Sequence, residues 1–118
     1  MTDSRTIYHV CRRPEWQAAV AMERYDGSSQ DIADGFIHFS AAHQVVASVT
    51  KHRAGQTGLV LIAADPVKLG EALVWEASRG GALFPHLYGP LPVAAVKWVV
   101  DLPLDAESGQ HVFPDLED

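Results

Sequence analysis

Residues 6–11 (TIYHVC) form a short run rich in β-branched and aromatic side chains and predict a first strand. The period then changes. Trp16, Ala19, Val20 and Met22 mark one apolar face over residues 15–24, and Pro14 suits the opening turn of that helix, where its missing N–H would be unpaired anyway. Asp26-Gly27-Ser28-Ser29 breaks the helix, and a polar loop is expected as far as Gly35. Residues 35–39 predict a second strand. Ser40 stands as the N-cap of a second helix that reaches Arg53 and is stopped by Gly55. Leu59–Ala64 (LVLIAA) is apolar on both faces, the mark of a central strand. Asp65-Pro66 opens a single turn ending near Gly70, and Leu73–Ala77 alternates as a strand before a flexible Gly80-Gly81 turn. Residues 83–92 (LFPHLYGPLP) hold three prolines and a glycine, which allows only a brief strand, edge-like or bulged. Residues 96–102 (VKWVVDL) predict the last strand, and a loosely attached tail is expected after it.

The order β-α-β-α-β-β-β-β argues for a mixed α+β domain, since only its first half offers crossover helices. A chain of 118 residues is expected to form one domain, here over 1–104, with 105–118 as an acidic tail. At 47% hydrophobic and 20% charged, it has enough apolar content to bury a core, though a small one. The net charge of −6 is local: six of the fifteen acids lie in residues 101–118 without a Lys or Arg, leaving nine acids against nine bases in the body. No basic stripe of the kind that duplex binding requires is present, so a nucleic-acid partner is not expected. No apolar run is long enough to cross a bilayer, and no signal region follows the first residues, so a cytoplasmic protein is expected. A single cysteine, Cys11, excludes an internal disulfide and a thiolate-rich zinc site.

Strand alternation sorts the polar residues by face. His9 shares a face with Ile7 and Cys11, and His38 with Phe36 and Ser40. Glu76 and Val74 lie opposite Leu73, Trp75 and Ala77. Three imidazoles and a carboxylate (His9, His38, His86 and Glu76) therefore sit in strands with mostly apolar neighbours. Burying such groups without partners costs on the order of 1–3 kcal/mol each. Convergence on one site is the functional reading, and satisfied core or edge residues the structural one. Tyr88 in His86-Leu-Tyr-Gly-Pro serves either. His43, His52 and His111 carry no functional assignment.

Three histidines on separate strands can ligate zinc and leave an open position, but no His-x-His spacing supports this, and no metal is expected. His38-Phe39-Ser40 matches one half of a two-histidine phosphoesterase, whose paired acid and base need the motif twice. His9-Val10-Cys11 and His86-Leu87-Tyr88 supply no second copy.

Ile7-Tyr8-His9, Gly35-Phe-Ile-His-Phe-Ser40 followed by Gln44, Val74-Trp75-Glu76 and Leu83-Phe-Pro-His-Leu-Tyr-Gly-Pro-Leu91 resemble a bacterial family catalogued as domain of unknown function 952 (DUF952). The likeness runs from about Ile7 to Leu102. Its fold is similar to that of ADP-ribosyltransferases, which implies a small split sheet with two main helices around a cleft that holds NAD in active members. In that pattern His9 matches a first-strand histidine that touches a ribose hydroxyl. His38-Phe39-Ser40 looks like the variant of the RNA 2′-phosphotransferase branch, and Glu76 falls to the late-strand glutamate that stabilises an oxocarbenium-like ribose. Val10-Cys11 stands where the transferases carry Gly-Thr, and His86 and Tyr88 have no counterpart. The resemblance implies a cleft for NAD or another nucleotide-like ligand, with His9, His38 and Glu76 catalytic and Ser40, His86 and Tyr88 binding. An NAD-dependent ADP-ribosyl- or phospho-transferase is one outcome. A non-catalytic binding or regulatory module on a degenerate transferase fold is the other.

Overall fold

The computed structural model describes residues 5–78 and 80–118. The expectation for the first residues falls partly on 1–4, outside that range. Strand β5 (Leu59–Ala64) is the centre of the molecule, and every one of its residues is buried. It pairs antiparallel with β1 (Ile7–Arg12) on one side and β9 (Val96–Asp101) on the other. A short β4 (Ser40–Ala41) adds to the far edge of β1, giving the order β4-β1-β5-β9.

The alternation of β1 and β5 feeds two cores. Ile7, Cys11, Val60, Ile62 and Ala64 face one, and Tyr8, Val10, Leu59, Leu61 and Ala63 the other. Fully burying each large aliphatic side chain is worth about 1.5–3 kcal/mol, so this strand anchors both layers. Helix α1 (Arg13–Met22) packs Ala19 and Trp16 on the first core, and its N-terminus is closed by the Glu15 carboxylate accepting from the Arg12 amide at 2.9 Å. Helix α3 (Ala42–His52) packs Val45 and Val49 on the second.

A second sheet covers the first core. It has the order β3-β7-β6, from β3 (Ile37–His38), β7 (Leu83–Leu87) and β6 (Leu73–Ala77). A two-stranded ribbon, β2 (Arg24–Tyr25) with β8 (Leu91–Pro92), completes the strands. The architecture is mixed α+β with antiparallel sheets.

Four expectations are corrected. The brief strand at 83–92 is not an edge: β7 lies between β3 and β6, despite Pro85 opposite Trp75. Pro85 explains how the second sheet ends. Its carbonyl accepts from the Phe39 amide at 2.9 Å, but it has no N–H to return, so the β3 ladder stops at His38. The chain then crosses at Phe39 and pairs Ser40–Ala41 with β1 instead. One continuous segment thus belongs to both sheets.

The second correction follows from it. Ser40 is a strand residue and not a cap; α3 starts after Ala41, whose amide donates to Gln44 Oε1 at 2.9 Å, while Gln44 Nε2 donates to the Leu83 carbonyl. Third, the polar loop contains a helix, α2 (Ser29–Asp34), capped by Ser28 and ended by Gly35 in the left-handed region. Fourth, the acidic tail is not loosely attached. Phe113 and Leu116 pack on the second core, the Tyr8 hydroxyl both donates to the Glu117 carbonyl and accepts from its amide, and Lys97 pairs with Glu117 at 2.8 Å.

Candidate functional site

The fork at Phe39 leaves the β1 edge beyond Tyr8 without a neighbouring strand. A cavity of about 670 Å³ opens there, bounded by α2, α3, β1 and the face of the second sheet. Ser28 begins its wall. The Ser28-x-x-Asp31 box closes on itself: Asp31 Oδ2 accepts from the Ser28 amide at 2.7 Å and from its hydroxyl at 2.9 Å. Asp31 Oδ1 takes the His38 amide at 3.1 Å and the His38 Nδ1–H at 2.6 Å. Asp31 is 3% exposed, while its neighbour Ile32 is 66% exposed. The fold has inverted the ordinary preference to put a carboxylate under the site.

Burial alone would raise the Asp31 pKa, but the His38 side chain and the backbone donors of Ser28 and His38 outweigh it and hold it well below the usual carboxylate range. His38 responds in the opposite sense. Its bond to Asp31 raises its pKa against a smaller burial penalty, and Asp34, 3.0 Å from Nε2, adds to the rise. Both ring nitrogens face carboxylates, which favours the imidazolium form of His38.

His9 is differently placed. Its Nδ1 donates to the His38 carbonyl at 2.6 Å, since a carbonyl only accepts, and Nε2 accepts from the Tyr25 hydroxyl at 2.8 Å. Complete burial lowers its pKa, with Asp31 opposing, and the ring stays neutral. No nitrogen remains for a ribose hydroxyl. Its part is to tie the two sheets together at the fork, through the carbonyl of His38.

His86 sits directly across from His38 in the β3–β7 register, ring centroids 5.6 Å apart. Phe36 stacks on it at 4.2 Å and 23°, and also meets His38 and Tyr88. Glu76 reaches His86 diagonally from β6: Oε1 accepts from Nδ1 at 2.9 Å and from the Tyr88 hydroxyl at 2.6 Å. The Tyr88 and His86 bonds lower the Glu76 pKa, and the same carboxylate raises that of Tyr88. Glu76 and Tyr88 do not border the cavity; they reach it through His86.

His9, His38, Ser40 and His86 do line it. Ser40 is 7% exposed and His86 8%. Neither Ser40 Oγ nor His86 Nε2 has a hydrogen-bond partner among the described residues, and since no enclosed side-chain N or O there lacks one, neither atom is sealed off; both residues line the cavity. Arg53 adds a cation to the opposite wall, reaching the Val10 carbonyl at 3.4 Å, and Ser48 a hydroxyl. Among the described residues, no three His, Cys, Asp or Glu groups are arranged to hold a metal ion. None of their helices is long and apolar enough to cross a membrane.

Asp31, Phe36, Tyr25 and Arg53 were not singled out from the sequence. Asp31 had a usable signal in the Ser28-x-x-Asp31 capping box ahead of Ile32-Ala33. Tyr25 and Phe36 flank breaks in the periodicity and had none.

The model of the family described as "Protein of unknown function (DUF952)" matches residues 10–99, and the chain belongs to that family. No curated protein matches it. Among solved structures it is similar to protein CC0527 from Caulobacter crescentus, a structural-genomics target. The crystal structure is 51% identical over 91% of this chain and 93% of that one, with a TM-score of 0.86. The solution NMR structure of the same protein is 53% identical over 86% and 88%, with a TM-score of 0.77.

Proposed function

We propose that the cavity at the fork binds a nucleotide-like ligand of the NAD or ADP-ribose class and transfers part of it to an acceptor. One observation carries this reading: Ser40 Oγ and His86 Nε2, on largely buried residues that line the cavity, have no hydrogen-bond partner among the described residues. A core with only about 5–15 kcal/mol of net stability keeps such atoms unsatisfied where a ligand or water completes them. The volume falls within the ~300–1,000 Å³ of small-molecule sites.

The groups around those atoms fit the ligand class. Arg53 is a cation for a diphosphate, which it can grip with two parallel N–H groups. Asp34, half-exposed beside His38, and the Ser40 and Ser48 hydroxyls match ribose hydroxyls, which both donate and accept. His38 and Ser40 flank Phe39, as the likeness to the phosphotransferase branch requires. A second reading rests on His9: with both nitrogens satisfied it holds no ribose, which favours a binding module without turnover.

Titration calorimetry with NAD, ADP-ribose and AMP tests the ligand class. Saturable binding of NAD or ADP-ribose in the micromolar to millimolar range is expected, weakened at least tenfold by Ser40→Ala with Arg53→Gln. Absence of binding at millimolar ligand overturns it.

A further inference from the structure

We propose that His86 is the general base of this cleft, its Nε2 accepting the proton of an alcohol or water acceptor while Glu76 and Tyr88 position its ring. The assignment rests on the nucleotide-cleft reading and names the acceptor class for it.

Partnering separates the three strand imidazoles. His9 is closed at both nitrogens, by the His38 carbonyl and the Tyr25 hydroxyl. His38 is engaged at both, by Asp31 and Asp34. His86 is held at Nδ1 only. A carboxylate oxygen accepts and does not donate, so the Glu76 contact places the neutral ring's proton on Nδ1 and leaves the lone pair on Nε2, at the cavity. Three constraints fix that lone pair in space: the Glu76 bond at 2.9 Å, the Tyr88 hydroxyl that pins the same Oε1 at 2.6 Å, and the Phe36 ring stacked 4.2 Å away. A carboxylate behind an imidazole fixes its tautomer and stabilises the imidazolium that forms when it takes a proton.

The step balances for ADP-ribosyl transfer. The acceptor oxygen bonds to the ribose C1′ as the bond from C1′ to the nicotinamide nitrogen breaks. Nicotinamide leaves with that electron pair, neutral. The acceptor's proton moves to His86 Nε2, and the resulting imidazolium faces Glu76. An acceptor phosphate or carboxylate is already ionised and needs no base, whereas an alcohol or water does.

The test is a long-range ¹H–¹⁵N spectrum of the full chain, with labelled histidine, at pH 8. The expected spectrum shows His86 protonated at Nδ1 and bare at Nε2, and Glu76→Ala mixes the two tautomers while circular dichroism stays that of the parent. A parent ring protonated at Nε2 overturns the proposal. The second arm follows nicotinamide release from NAD with water as acceptor. At saturating NAD, His86→Gln should slow release ~100–10,000-fold, the usual range for a general base. Release at the parent rate in His86→Gln overturns the assignment, as does a parent chain that binds NAD and releases nothing. Failure of NAD and ADP-ribose to bind at all sinks the cleft reading instead, and leaves the tautomer result standing as a separate fact.

Discussion

Asp31→Asn removes one charge from beneath the site and changes almost nothing in shape. Asp31 accepts four hydrogen bonds, two on each oxygen: the Ser28 amide and hydroxyl on Oδ2, the His38 amide and Nδ1–H on Oδ1. In the variant one oxygen becomes NH₂. The cheaper orientation turns the NH₂ toward Ser28, because that hydroxyl can rotate and accept. The Ser28 amide is then orphaned in a buried place, at about 1–3 kcal/mol. The bond that remains to His38 loses the charge on its acceptor, costing about 1 kcal/mol more. The expected loss is about 2–4 kcal/mol, or a fall of roughly 8–16 °C in Tm at ~4 °C per kcal/mol.

The gap between parent and variant should also depend on pH in a particular way. Asp31 has a depressed folded pKa, so its contribution is present above its ordinary 3.8 and is lost as pH falls through the folded value. His38 has a raised folded pKa, so its contribution is complete below its ordinary 6.5 and is lost as pH rises through the folded value. The gap is therefore widest between about pH 4 and 6.5 and narrows on either side, leaving the orphaned amide at high pH. Urea denaturation from pH 3 to 9 measures it. NMR titration supplies the companion observation, with the His38 pKa falling in the variant. A gap independent of pH, or a His38 titration unmoved by the substitution, refutes the hub.

Two further substitutions probe the supports of the site. Gly27→Ala forces a side chain onto a φ of +103° and puts its Cβ 2.7 Å from the Asp31 Cβ; the backbone strain alone should cost about 1–3 kcal/mol, read as a lower urea midpoint, and a parent-like midpoint contradicts the packing at Asp31. Tyr8→Phe deletes both hydroxyl bonds to the Glu117 backbone. It should cost about 1–3 kcal/mol and speed amide exchange at Glu117 while His38 and Phe39 keep theirs; unchanged exchange at Glu117 would mean the tail is held without it.

Much of the scaffold was legible. Leu59–Ala64 reads as a central strand because apolar residues on both faces demand cover on both faces, and two cores supply it. Leu73–Ala77 alternates and was bounded correctly. Helix α2 leaves no periodic signal in the sequence, because six residues make fewer than two turns. Three prolines and a glycine in residues 83–92 predict only a brief, edge-like or bulged strand, on the sound rule that a proline cannot serve a central ladder. The rule held locally: the ladder does fail at Pro85, and that failure lets the chain leave one sheet for the other at Phe39. What looked like evidence against a strand is what opens the cavity.

The site divides along the same line between what a residue costs and what it touches. His9, His38 and His86 stood out because an imidazole among apolar neighbours is expensive unless something compensates it. That argument finds the histidines but cannot rank them, since the cost is the same whichever atom compensates. Asp31 escaped notice for the converse reason: an aspartate between Gln30 and Ile32 in a polar stretch looks solvated, and only the fold reveals that Ile32 faces solvent while Asp31 faces the histidines. Once partners are known, the three imidazoles part company. One is sealed and structural, one lies between two carboxylates, and one is pinned at Nδ1 with no partner at Nε2 among the described residues. Only the last has an atom to spare. The proposed role of His86 therefore rests less on how many histidines converge than on which nitrogen the described residues leave without a partner.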